Sequence, residues 1–319
     1  MKSILVTGSC GQIGSELIPA LQTRFPGATL IATDVRDPQE TIIKSAKFKH
    51  LDILDVSHLE QLISDEKVDT IFHLAAILSA KGENNPQMAY SVNLEGFFNI
   101  LEAARKLSVK SIITPSSIAV YGPDAPKNKT PDETALNPTT MYGVTKVAGE
   151  KLLQYYHLKY GLNVRALRYP GIISSQTEPG GGTTDYAVEL FKYAASGKPY
   201  VCYIEMNTPL PFMYMPDAIE AIIRLSLAEE NNLNRRVYNV HSMQLTPGEI
   251  VASIRKFIPE FECSYKPDYR QNIASSWPHS IDDSNARKEW GWKPQFNLPA
   301  MTADMLLKLG VSRPELNVT

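Results

Sequence analysis

The chain has 319 residues, 43% of them hydrophobic and 21% charged, with a formal net charge of −2; it is long enough to bury a large core unaided and carries no basic field for nucleic acid or an anionic membrane. Its three cysteines, Cys10, Cys202 and Cys263, are odd in number and lack metal-ligand spacing, so neither a disulfide framework nor a metal site is expected. No run of about 18 apolar residues is present to span a bilayer, and Met1-Lys2 leads straight into an apolar segment with no room for a leader, so the expectation is a cytoplasmic protein in a reducing compartment.

From the N-terminus, short apolar and β-branched runs over 4–7, 29–33, 70–74, 111–115 and 163–168 predict buried parallel strands. The spacing between them predicts helices over 13–22, 56–64, 90–107 and 142–160. This alternation implies an α/β fold, a Rossmann-type doubly wound parallel sheet covered on both faces. Beyond Tyr169-Pro170-Gly171 the texture changes. Pro179-Gly180-Gly181-Gly182 reads as a flexible loop, 209–216 as a proline-rich connector, 217–229 as a helix, 237–240 as a strand and 247–257 as a helix. The stretch 277–294 is aromatic and irregular. The expected division is a cofactor-binding domain over 1–170 with returns near 212–240, and a smaller interleaved substrate lobe from 171–211 and 241–319.

The segment Gly8-Ser9-Cys10-Gly11-Gln12-Ile13-Gly14 joins the first strand to the first helix. Glycines let backbone approach an anion closely, and a helix N-terminus offers free N–H groups and a positive dipole end. Gly8, Gly11, Gln12, Ile13 and Gly14 are therefore candidate pyrophosphate binders. Asp34 lies twenty residues beyond Gly14, where a carboxylate accepts from ribose hydroxyls and repels a 2′-phosphate, which selects NAD over NADP. Arg36, two residues on, softens that repulsion. Asp52 and Ile53 follow a third strand and can flank the adenine; a turn or capping role fits Asp52 equally.

Tyr142 and Lys146 stand at i and i+4 and share one face of a helix. An ammonium beside a phenol favours the phenolate and turns tyrosine into a usable base. Ser116 and Ser117 close a strand upstream, at the end where open parallel sheets bind ligands, and either can hydrogen-bond an alcohol oxygen.

These motifs occur jointly and in order with His73-Leu74-Ala75-Ala76, Asn93, Val120-Tyr121-Gly122 and the tail Asp282-x-x-x-Ala286-x-x-x-x-Gly291-Trp292-x-Pro294. The chain thus resembles the extended short-chain dehydrogenase/reductase family over nearly its whole length. The resemblance implies Leu74, Ala75 and Ala76 at the cofactor, Pro170 and Ile172 against the nicotinamide, and Asn93 either on a water path near Lys146 or in a helix–backbone contact. Arg168-Tyr169-Pro170-Gly171-Ile172-Ile173-Ser174 and Pro179 to Ala187, with Ser79 and Trp277-Pro278, are similar to the branch that oxidises L-threonine with NAD. A zwitterionic amino acid suits Ser79, Thr183 and Thr184 as donors and Asp185 as acceptor, on a loop whose glycines let it close. The resemblance also implies a homodimer packing 90–107 against 142–160. The alternative on this scaffold is a sugar-nucleotide epimerase or dehydratase, which would need basic residues such as Arg224, Arg235, Arg236 or Arg255 for its phosphates.

Overall fold

The computed structural model describes residues 1–178 and 180–311. The first half runs β1 (Ser3–Thr7), α1 (Gln12–Arg24), β2 (Thr29–Asp34), α2 (Glu40–Ser45), β3 (Lys47–His50), α3 (Val56–Asp65) and β4 (Thr70–His73). It continues through α4 (Ser79–Asn84), α5 (Pro86–Tyr90), α6 (Gly96–Lys106), β5 (Ser111–Ser117), α7 (Met141–Tyr160) and β6 (Asn163–Tyr169). The second half holds β7 (Gly171–Ile173), α8 (Tyr186–Ala195), β8 (Tyr200–Cys202), β9 (Leu210–Tyr214), α9 (Met215–Leu227) and β10 (Val237–Asn239). The chain then passes through β11 (Met243–Leu245), α10 (Pro247–Arg255), β12 (Cys263–Tyr265), α11 (Tyr269–Ser276), α12 (Ser284–Trp290) and α13 (Leu298–Lys308).

Seven parallel strands form the main sheet in the order β10-β6-β5-β4-β1-β2-β3. Alternate residues of a strand face opposite sides, and β1 shows the result: Ile4 and Val6 enter one core, Leu5 the other. Both faces are dry, as a helix-covered parallel sheet requires. The order reverses between β1 and β4, which puts a crevice at their carboxyl ends. Smaller sheets, β11-β9-β7 and β12-β8, build the lobe with a third apolar core. The return to the main sheet runs through β10, which pairs with β6. The strand β9 belongs to the small sheet instead.

Four expectations change. The helix predicted over 90–107 forms without a gap but is not regular: α5 passes into a wide π-turn at Ser91–Glu95 before α6. Asn93 causes a local demand there, because its amide accepts from Ile77 N–H at 2.7 Å and donates to Ile77 C=O at 3.0 Å. The connector over 209–216 contains the central strand β9, with Pro211 inside it. Proline obscured that strand, although all five of its residues are buried. The irregular tail contains α12, and Trp292 behind it is anchored by its indole N–H on Asp283 at 2.9 Å. Pro179 of the expected flexible loop lies outside the described residues. The three glycines after it are packed: a Cβ on Gly180 would meet Leu78 at 2.9 Å, and one on Gly182 would meet the Asp185 carboxylate at 2.7 Å. Gly181 has φ +96, a region that favours glycine.

Candidate active site

The phosphate loop is shaped by what its glycines exclude. A Cβ on Gly8, at φ +69, would lie 2.5 Å from the Ala75 nitrogen, and one on Gly14 would lie 2.6 Å from the Gly8 and Ser9 carbonyls. Gly11 caps α1 without a side-chain hydrogen bond. The first N–H groups of a helix have no partner within it, so Gln12, Ile13 and Gly14 present theirs to the crevice. Leu74 N–H bonds Thr7 C=O at 3.0 Å and fixes β4 against β1 beneath the loop. This cradle fits the pyrophosphate of a dinucleotide.

Asp34 ends β2 and is 6% exposed. Its carboxylate accepts from Cys10 N–H at 3.0 Å and from the Arg36 guanidinium at 3.0 and 3.1 Å. Burial pushes its pKa up, but the Arg36 and Cys10 hydrogen bonds outweigh this and hold it below the usual range. Asp52 is exposed and accepts from Leu54 N–H at 2.9 Å, the turn role open to it from the sequence. Ile53 is buried and packs beneath Gly96.

At the other end of the crevice, a cleft of about 130 Å³ brings together Gln12, Ile13, Ser79, Ser116, Ser117, Tyr142, Pro170, Ile172, Thr183, Thr184 and Asp185. Trp277 and Leu78 also line it. Gly8, Asp34, Asp52, Ile53 and Leu74 do not line this cleft, and Ala75, Ala76 and Lys146 border a separate, smaller cavity below it. Tyr142 begins α7, which Thr140 caps by accepting from Gly143 N–H at 3.1 Å. Burial pushes the Tyr142 phenol up to about 12, with a hydrogen bond to Ser117 pulling the other way. Lys146 Nζ sits 5.6 Å from the Tyr142 ring centre and donates to Pro115 C=O at 2.8 Å. Burial brings its pKa down to about 8, and Glu150 opposes the fall. The lowering of Tyr142 expected from Lys146 is not found: burial raises the phenol, and Lys146 has no part in its shift.

The two serines separate. The strand β5 extends to Ser117, so neighbours on it point to opposite sides. Ser116 donates to Glu150 Oε1 at 2.5 Å, whereas Ser117 Oγ accepts from Ala119 N–H at 3.2 Å and lines the cleft with Tyr142. Glu150 also accepts from Arg168 Nε at 2.8 Å and from its terminal nitrogen at 2.7 Å. The sequence reading passed over Glu150 as a site residue, although it stands at i+4 from Lys146 on the same face. Asn93 bonds Ile77 and Thr145 Oγ1, the latter at 3.2 Å, and also lines the small cavity that Lys146 borders, so both roles open to it stay open.

Over the cleft, Ser79 Oγ and Thr183 Oγ1 are 3.1 Å apart, and Thr183 N–H donates to Ser79 at 3.2 Å. One Asp185 oxygen accepts from Gly181 and Gly182 N–H, both at 2.8 Å. Burial raises the Asp185 pKa. No arginine or lysine lines the cleft among the described residues. Arg224 pairs with Glu220, Arg235 with Asp132 and Glu133, and Arg236 with Glu230, while Arg255 donates to Phe261 C=O. Among the described residues, no cluster of three or more His, Cys, Asp or Glu is arranged to hold a metal ion, and no helix is long and apolar enough to cross a membrane.

Residues 4–240 match the NAD dependent epimerase/dehydratase family. The chain is 42% identical over 304 residues to the mitochondrial L-threonine 3-dehydrogenase of Sus scrofa, covering 95% of this chain and 81% of that protein. It superposes on the holo form of a GalE-like L-threonine dehydrogenase from Cupriavidus necator with a TM-score of 0.93 and 46% identity, over 96% of this chain and 99% of that one. A monomeric L-threonine 3-dehydrogenase from a metagenome, in apo form, gives a TM-score of 0.92 and 46% identity over 96% of this chain and 98% of that one.

Proposed function

The chain belongs to the NAD dependent epimerase/dehydratase family, and from that premise we propose that it is an NAD-dependent dehydrogenase that oxidises L-threonine at the β-hydroxyl to 2-amino-3-oxobutyrate. The observation that carries this reading is the small cleft, without basic residues, that Tyr142 and Ser117 line together with Ser79, Thr183, Thr184 and Asp185. Relatives named as threonine dehydrogenases at 42% and 46% identity support it. The same cleft disfavours a sugar nucleotide, whose phosphates need cations.

Tyr142, as phenolate, takes the proton of the substrate hydroxyl, and Ser117 donates to the same oxygen. Charged Lys146 favours the phenolate and holds the nicotinamide ribose. Bound NAD supplies the acceptor for the hydride that leaves Cβ. Pro170 and Ile172 would hold the nicotinamide in the cleft, with Ala75 and Ala76 also contributing to cofactor binding. Gly8, Gly11, Gln12, Ile13 and Gly14 cradle the pyrophosphate, Leu74 supports that loop, Asp34 holds the adenosine ribose, and Asp52 and Ile53 flank the adenine. Ser79, Thr183 and Thr184 donate to the substrate carboxylate, and Asp185 accepts from its ammonium. In this reading 1–170 with the segment through β10 forms the cofactor domain, and the rest the substrate lobe.

We extend the proposal to assembly and setting. Phe98 at 44%, Tyr155 at 51%, Leu158 at 75% and Tyr160 at 46% exposure lie on α6 and α7. That apolar face supports a homodimer, and three free cysteines support a reducing, cytoplasmic compartment. The reaction is tested with L-threonine deuterated at Cβ. Deuterium in the reduced cofactor and its loss of signal in Tyr142→Phe are expected; unlabelled cofactor would overturn the reading.

A further inference from the structure

A cavity of about 30 Å³ lies beneath the cleft, enclosed between β4, β5, β6 and α7. Among apolar residues such as Phe97 and Leu153, its lining brings together His73, Ser116, Lys146 and Glu150, polar groups unusual in a helix-on-sheet contact. That volume is large enough to admit water. Glu150 Oε1 accepts from Ser116 and from Arg168 Nε, and its other oxygen accepts from the terminal Arg168 nitrogen. The carboxylate is therefore fixed in place, one helical turn from Lys146 and two from Tyr142.

We propose that Glu150 is a positioning residue: its carboxylate shares this cavity with the Lys146 ammonium and keeps that lysine charged while Tyr142 acts as base. The charged and titratable groups around Lys146 are few. Tyr142 and Glu150 share its helix, His73 comes from β4, and Arg168 stands behind Glu150 on β6. His73 is neutral at working pH, since burial, with Lys146 adding to it, drives its pKa down to about 3. Arg168 is positive and its effect on Lys146 is unfavourable. Glu150 is thus the one negative group that offsets the burial of Lys146 among these neighbours, the direction already seen in the Lys146 pKa.

This inference rests on the reading of Tyr142 as base, but part of its test does not. In the cofactor-free protein, acylation of Lys146 by acetic anhydride is followed against pH by peptide mass spectrometry. In Glu150→Gln the midpoint should fall by about one unit, the scale on which a close opposite charge acts. The acid limb of the kcat profile should rise by a similar amount, because Tyr142 then ionises without a neighbouring ammonium. Glu150→Asp keeps the charge and withdraws it by one methylene, so smaller shifts in the same directions are expected, and it serves if the amide variant does not fold. A Lys146 midpoint that stays put in the variant that folds, with kcat lowered evenly at all pH values, would overturn the proposal and leave Glu150 a purely structural partner of Arg168. A fully active Tyr142→Phe enzyme would instead remove the reading of the base, and the labelling midpoint would still report on Glu150.

Discussion

The Ser116 hydroxyl donates to Glu150 Oε1 at 2.5 Å, and this single bond decides which of two adjacent serines can serve the chemistry. Both serines line the cleft, but this bond occupies the Ser116 hydroxyl, whereas Ser117, on the other side of the strand, lines the cleft with Tyr142. Ser117→Ala should therefore lower kcat by ~10²–10³, the usual loss when one donor to the reacting oxygen is deleted. Ser116→Ala should cost less than ~10-fold. Steady-state kinetics on both variants check this; a larger loss in Ser116→Ala would reverse the assignment.

Cofactor preference follows from Asp34 and Arg36 together. The guanidinium is held by Asp34 at 3.0 and 3.1 Å. Asp34→Gly removes the repulsion of a 2′-phosphate and also releases Arg36 to meet it. A charge-assisted bond is worth about 1.5–3 kcal/mol, so the NAD-over-NADP ratio in kcat/KM should narrow by ~10–100-fold. An unchanged ratio would mean that the ribose lies elsewhere.

Asp185 has two claims on it. Gly181 and Gly182 N–H occupy one of its oxygens, which braces the loop. If the other oxygen accepts from the substrate ammonium, Asp185→Asn should raise the KM for L-threonine by ~10–100-fold, again the scale of a charge-assisted bond. NAD affinity, followed by fluorescence titration, should move by less than ~2-fold. Equal losses for substrate and cofactor would reduce Asp185 to a brace.

Acid stability should carry the mark of His73. This ring is 4% exposed, stacks on Phe97, and has its pKa driven from 6.5 to about 3 by burial. Between those values the unfolded chain binds a proton that the folded chain refuses, so stability rises with pH across the window and is lost as pH falls from 6.5 toward 3. His73→Asn cannot titrate there. Its melting temperature should depend less steeply on pH over that range than the parent's, and parallel curves would show that His73 is not the group responsible.

Much of this molecule was legible in the order of its residues. The parallel sheet was, because buried strands such as Ile4–Thr7 are short and apolar and the helices between them keep a 3.6-residue period. So were the phosphate loop and the Tyr142–Lys146 pair, whose spacing is local. What stayed hidden depends on distance in space. Nothing local distinguishes Ser116 from Ser117 until the strand is seen to run through both. The π-turn that holds Asn93 goes with a contact to Ile77, sixteen residues away. The glycines of 180–182 suggested freedom, whereas contacts with Leu78 and Asp185 make them tight packing positions. Pro211 hid a central strand because proline is rare in one.

The most direct test of the central claim is the rate of NAD reduction by the purified protein with L-threonine, set beside L-serine, 3-hydroxybutyrate and a UDP-sugar. L-threonine should be oxidised readily and L-serine more slowly, by the ~1–3 kcal/mol that one methyl group is worth. 3-Hydroxybutyrate should be nearly inert, since it leaves Asp185 without its ammonium partner, and the UDP-sugar should give no turnover. Turnover of the UDP-sugar with no oxidation of L-threonine would contradict the account.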